Sequence, residues 1–266
     1  MAAIVVLKVR RKMFASNMLN RIQNRYRCSL SNALGRRMVE LRPEFPIISF
    51  TFDDFPQSAL RVGGAILERY EVRGTYYVSL SLMDHEIPAG RAFSKEDLRQ
   101  AVADGHELGC HTFSHCHAWE TDPAAFEESI IQNKQALKAL IPDVEFKSLS
   151  YPIAWPRPQT KRLASKHFEC CRSSGATFNL GWTDANNLQA NFIEKHRDHP
   201  ETLMRLIEEN NRTRGWLIFA THDIGDHPTP FGCTGALFEA LVEAVSNSGA
   251  RVLPVGAAWD AARPAR

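Results

Sequence analysis

The stretch ISFTFDDFP, Ile48 to Pro56, is an apolar run that ends on two adjacent acids, Asp53 and Asp54, with Phe55 and Pro56 closing it off. A short, nearly continuous apolar run bounded in this way reads as a buried strand. Two like charges at its end repel each other unless a solvated turn, a cation or a shared proton relieves them. Taken alone, the stretch leaves a solvated acidic turn and a functional pair equally open.

From Phe45 onward, the chain repeats this kind of strand and alternates it with amphipathic segments. The candidate strands are PIISFTF, GTYYVSL, HELGCH, FKSLSYP, ECCRSSG, WLIFATH and ARVLPV. Between them SALRVGGAILERY, SKEDLRQAVADG, DPAAFEESIIQNKQALKALI, PQTKRLASKHF, PETLMRLIEENNRTRG and TGALFEALVEAVSNSG read as helices, with start and stop signals such as Ser94, Gly105 and Gly249. This pattern predicts an α/β fold, an irregular (β/α) barrel of about seven strands in one domain. In such barrels the chemistry sits at the carboxyl ends of the strands.

Composition narrows the class. The chain has 266 residues, 44% of them hydrophobic and 23% charged, as in ordinary globular proteins. No apolar run approaches the roughly 18 to 20 residues of a membrane-spanning helix. The net charge of +2 is unevenly placed: Lys8, Arg10, Arg11, Lys12, Arg21, Arg25, Arg27, Arg36, Arg37 and Arg42 face only Glu40 and Glu44. The expected division is therefore a basic N-terminal extension over 1–44 and a single α/β domain over 45–266. The mildly acidic remainder argues against nucleic acid as partner. In MAAIVVLKVRRK the basic residues follow a short apolar run instead of preceding it, which is not a secretory signal pattern. The six cysteines show no CxxC spacing, and together these features lead to the expectation of a cytoplasmic location.

The reactive side chains cluster by strand end. HELGCHTFSHCH carries His106, His111, His115 and His117, and the spacing of His111 and His115 suits two imidazoles turned the same way. Two imidazoles and one carboxylate are the ligand set of many catalytic zinc or iron sites. WLIFATHDI ends on His222, placed for acid–base work near neutral pH. Its neighbour Asp223 points to the other face of the strand and is not expected to orient the ring.

The order TFDD, HTFSH, an S-Y-P segment and an apolar strand ending THD resembles the polysaccharide deacetylase family, also called the NodB-homology or carbohydrate esterase family 4, from about Pro46 to Pro254. The resemblance implies that Asp54, His111 and His115 bind one divalent metal ion, zinc first, with cobalt or nickel as alternatives. It implies Asp53 as general base on water activated by that ion and His222 as general acid toward the leaving amine. The implied substrate is an N-acetylated amino sugar. The paired acids of the opening stretch would then divide the work, one anchoring the cation and one taking the proton.

The sequence departs from the family in three places. In LSYPIAWP, Ser150 stands where the family carries an arginine, although Pro152 is kept and the Ile153 backbone N–H remains available to an oxyanion. Asp53 is therefore expected to lack its cationic neighbour unless Arg157 reaches back. The acid-and-tryptophan motif has only NLGWTDANN as a candidate, with Trp182 as a pocket wall. Ala220 replaces a family leucine on the same face as His222, which predicts room for an acyl group longer than acetyl. Alternatives are an iron oxygenase using the same ligands, a weak or inactive carbohydrate-binding homologue, and an amidase acting on a small non-sugar amide.

Overall fold

The computed structural model describes residues 22–153 and 155–264. Along the chain run α1 (residues 22–33), β1 (Met38–Leu41), β2 (Ile47–Phe52), a π-helical turn Ala59–Gly64 leading into α2 (Ala65–Arg69), β3 (Thr75–Val78), the hairpin β4 (Glu86–Ile87) and β5 (Gly90–Arg91), and α3 (Lys95–Ala103). There follow β6 (Glu107–Cys110), α4 (Pro123–Leu140), β7 (Ser148–Ser150), α5 (Pro158–Ala164), β8 (Cys170–Ser174), β9 (Gly181–Asp184) and β10 (Leu188–Phe192). The chain ends with α6 (Glu201–Thr213), β11 (Trp216–Thr221), α7 (Gly235–Asn247), β12 (Arg251–Val252) and α8 (Val255–Ala262).

Parallel pairing runs β2-β3-β6-β7-β8-β10-β11 and closes where β11 pairs with β2 from Trp216↔Ile47 to Thr221↔Phe52. This is the expected seven-stranded barrel with a different last member. ARVLPV supplies only β12, which pairs with Ile47 and Ile48 on the edge of β2 that β3 occupies higher up. The barrel strand absent from the sequence reading is β10, LQANF. Its polar residues hid it, and they serve the backbone: Asn191 donates to the Thr177 carbonyl at 2.8 Å, and the Gln189 side-chain amide donates to the Asn187 carbonyl at 3.2 Å.

The alternation of β2 explains the two cores. Ile48, Phe50 and Phe52 face the helices and join Phe238 and Leu241 of α7, with Phe52 stacked on Tyr76 at 4.6 Å between ring centroids. Ile47, Ile218, Ala220, Leu188 and Cys170 fill the barrel interior, and Val255, Ala258 and Trp259 of α8 plug its amino end. The polar residues among them are satisfied: Trp216 donates to Ser49 at 2.9 Å, and Thr51 donates to the Phe219 carbonyl at 2.8 Å. Opposite the plug, the carboxyl ends of the strands stay open.

The residues before the barrel pack on it. β1 pairs antiparallel with β9. The buried Lys161 ammonium donates to the Ser31 and Leu34 carbonyls at the end of α1 and contacts Asp184 at 2.6 Å. Arg27 bonds Glu120 at 2.8 Å, and its guanidinium lies 5.6 Å from the Trp119 ring centroid. The basic residues Lys8, Arg10, Arg11, Lys12 and Arg21 lie outside the described residues. Among the described residues no helix is long and apolar enough to cross a membrane.

Candidate active site

Successive side chains on a strand point to opposite faces, so Asp53 and Asp54 would diverge if β2 continued. It does not: Asp54 and Phe55 take left-handed backbone conformations, φ 60° and 43°. That turn brings both carboxyl groups to the barrel mouth. Asp53 is fixed by its own N–H, which donates to the Thr221 carbonyl at 2.9 Å. Left-handed non-glycine residues cost about 1–3 kcal/mol each and persist only where surrounding structure imposes them. Thr112, His115 and Ile153 share the feature, and all three lie in the loops of the same mouth.

His111 follows β6, and its Nδ1–H donates to the Ser150 carbonyl at 2.8 Å. The bond fixes the tautomer and directs Nε2 toward Asp54. His115 is carried by a tight non-helical loop closed by Cys116 N–H to Thr112 Oγ1 at 3.0 Å. Helix α4 holds that loop, because Ser129 accepts from the N–H groups of Phe113 and Ser114 at 2.9 and 3.2 Å. Asn133, one turn on, bridges the Leu80 N–H and the Val78 carbonyl.

Asp54 Oδ1 lies 3.1 Å from His115 Nε2 and 3.5 Å from His111 Nε2. One ligand atom from each of the three residues falls within 4.8 Å of the others. Asp54 Oδ1 is buried and has no well-formed hydrogen bond, and the two imidazole nitrogens converge on it. This donor set fits a divalent cation. Burial pushes the His111 imidazole down to about 4, favouring the neutral ring that ligation needs. Burial also works against ionised Asp54, but the two histidines hold it well below the usual carboxylate range.

Asp53 is 4% exposed and ion-paired with Arg172, itself 1% exposed. Burial opposes its charge, yet Arg172 and the histidines keep its pKa below the ordinary value. The cation expected to be missing at Ser150 is therefore present, supplied by β8 instead of β7. Its guanidinium carbon lies 4.6 Å from the Tyr77 ring centroid and 5.8 Å from that of Phe192. Arg157 does not reach the site: it precedes α5 and lines another hollow beside Tyr26 and Trp119. The signal for Arg172 was in the sequence, as a lone charge in the strand CCRSS.

His222 completes the mouth at the end of β11. Its Nδ1–H donates to the Phe231 carbonyl at 3.1 Å, and its ring lies between Phe192 and Phe231, with centroids 5.9 and 5.7 Å away. Asp223 turns elsewhere, as expected, and accepts from the Thr229 N–H at 2.7 Å. All five of these predicted residues line one cavity of about 680 Å³, with Ile153, Trp155, Ile87 and Phe231 among its apolar walls and Asn24 of α1 at its edge.

Three predicted pocket residues stand apart. Trp182 is 70% exposed on β9 and lines a separate hollow. Pro152 is buried, and its carbonyl accepts from Ala118 N–H at 3.2 Å. Ala220 faces inward with His222 but is fully buried in the barrel core, where its register neighbour Phe192 packs against the same cluster and lines the cavity. The acyl space expected over Ala220 is therefore filled. Phe192, Glu194 and Lys195 were not anticipated as cavity residues.

The closed seven-stranded parallel barrel is the fold of solved carbohydrate esterase family 4 deacetylases. The polysaccharide deacetylase family model matches residues 41–167, the part carrying Asp53, Asp54, His111 and His115. Similar solved structures include the chitin deacetylase of the fungal pathogen Colletotrichum lindemuthianum, at 19% identity over 84% of this chain and 91% of that one, TM-score 0.58. A family 4 acetyl xylan esterase from Clostridium thermocellum in complex with a cobalt ion matches at 16% identity over 80% and 90%, TM-score 0.56. A mutant of a CE4 family pseudoenzyme with restored enzymatic activity matches at 14% identity over 84% and 71%, TM-score 0.58. At these identities the likeness carries the fold. No curated protein matches the chain.

Proposed function

We propose that the protein is a metal-dependent hydrolase that removes N-acetyl groups from an amino-sugar oligo- or polysaccharide. The observation that supports this most is the shared mouth: the Asp54–His111–His115 set, the Asp53–Arg172 pair and His222 line one cavity. Asp54, His111 and His115 would hold one divalent ion, with zinc the first choice and cobalt or nickel the alternatives. Such an ion lowers the pKa of water toward about 7 and polarises a carbonyl oxygen.

The chain's own residues then move the protons. Asp53, kept ionised by Arg172, accepts the proton of the attacking water. In this reading the Ile153 backbone N–H, at the cavity wall, donates to the developing oxyanion. The leaving nitrogen needs a proton because an amide anion is a poor leaving group, and His222 supplies it from Nε2, the nitrogen that the Phe231 carbonyl leaves free. The catalytic unit is taken as residues 45–266, with α1 and β1 packed onto its side.

Metal content of the purified protein, followed by acetate release from an acetylated chitooligosaccharide with and without chelator, tests the reading. Chelator-sensitive release is expected. Iron without acetate release supports the oxygenase, and sugar binding without release makes the protein a binding homologue. A small non-sugar acetamide cleaved as fast as the oligosaccharide moves the substrate class.

A further inference from the structure

Glu194 lies in the 3₁₀ turn Ile193–His196 that follows β10, on the cavity wall near Asp53 and Arg172. The proton transfers above do not use it. Its Oε2 is buried without a hydrogen-bond partner, an arrangement that costs free energy unless something else satisfies the group. The cations beside it are engaged elsewhere. Lys195 donates to Ser174 Oγ at 2.7 Å and lies 4.9 Å from the Phe192 ring centroid, while Arg197 donates to the Gly232 carbonyl at 2.9 Å and also bonds the Thr229 carbonyl.

We propose that Glu194 is a substrate-positioning residue whose carboxyl group hydrogen-bonds a hydroxyl of the sugar ring beside the acetamido group. The inference rests on the amino-sugar reading and adds a contact to it. Burial, reinforced by the negative charge of Asp53, outweighs Lys195 and Arg197 and pushes Glu194 up to about 8. Cys233, the other titratable group facing it, has its thiol pushed up to about 12 by burial and is neutral alongside it. At neutral pH Glu194 therefore offers an O–H donor and a carbonyl acceptor. A hydroxyl group complements both. Its strand neighbours carry Arg172 and His222, which places the contact next to the scissile amide.

The test uses the acetylated chitooligosaccharide as probe. Glu194→Ala should raise KM about five- to tenfold, the worth of one neutral hydrogen bond or a little more, with kcat within about twofold. Glu194→Gln, neutral and of the same shape, should restore most of the affinity. In the unmutated enzyme KM should climb as pH passes about 8, and in Glu194→Gln that rise should vanish. An unchanged KM in Glu194→Ala, or an equal loss in kcat for Ala and Gln, overturns the proposal. Calorimetric binding to Asp53→Asn, alone and combined with Glu194→Ala, separates it from the functional reading. Glu194-dependent binding without acetate release by the unmutated protein keeps the contact and loses the hydrolase. Acetate release with binding indifferent to Glu194 does the reverse, and absence of binding removes both.

Discussion

Asp53 is almost fully buried, and Arg172, with which it is ion-paired, is the strongest support of its charge. Removing one member of a buried pair strands the other and costs about 3–5 kcal/mol, so Arg172→Ala should both lower Tm and move the acid limb of the rate profile upward in pH. Ser150→Arg should leave that limb where it is, because the cation is already supplied from β8; a downward shift would show that Arg172 does not act as the partner. The folded-state pKa of Asp53 is depressed, so its contribution to stability is present above the unfolded value and fades as pH falls through the folded one. The metal set makes a second residue-scale prediction. Asp54→Ala, His111→Ala and His115→Ala should each lose tight zinc in a metal titration, while Asp53→Asn should keep zinc and lose about 10² to 10⁴ in rate. Full occupancy in His115→Ala would remove that histidine from the ligand set.

Strands β3 and β6 support Arg172 from the other side. Gly109 on β6 leaves room for the Tyr77 ring of β3; a Cβ at that position would run into the ring. Tyr77 in turn offers its face to the Arg172 guanidinium and bonds Ser148 at 3.0 Å. Gly109→Ala should therefore displace the ring, destabilise the fold by about 1–3 kcal/mol as overpacked cores do, and loosen the cation that holds Asp53. Acetate release should fall while zinc affinity stays, since His111 and His115 are held by Ser150, Ser129 and the loop itself. Equal loss of zinc and rate would show that β6 governs the ligands instead. HELGCH was read as a strand from its apolar residues, but that its glycine serves a distant arginine emerges only once β3 lies beside it.

At the scale of the whole molecule, the amino end of the barrel carries its own titratable group. Glu107 opens β6, accepts from the Gly256 N–H of α8 at 2.8 Å, and is pushed up to about 7 by burial. The unfolded chain releases this proton near the ordinary value of about 4.3, the folded chain only near 7. Between those values the folded state binds more protons, so the stability this group contributes declines as pH rises through that window. Glu107→Gln should keep the plug helix in place and flatten the fall of Tm between pH 5 and 7, on the scale of the window set by those two values. An unchanged slope would mean that the carboxyl already ionises at its ordinary value.

The sequence by itself determined the strand–helix alternation, because buried parallel strands need continuous apolar runs and covering helices need amphipathic ones. It also singled out Asp53, Asp54, His111, His115 and His222, which line one cavity, since each belongs to a short legible motif at or after a strand end. The tertiary structure alone decided their partners. Arg172, Phe192 and Glu194 come from strands and turns whose local sequence carries no motif, and Trp182 and Ala220 fell outside the cavity for the same reason. Barrel closure brings β8, β10 and β11 beside β2 across long sequence separations. Local pattern records which face of a strand is buried, but what that face meets depends on which strand the closed sheet sets next to it.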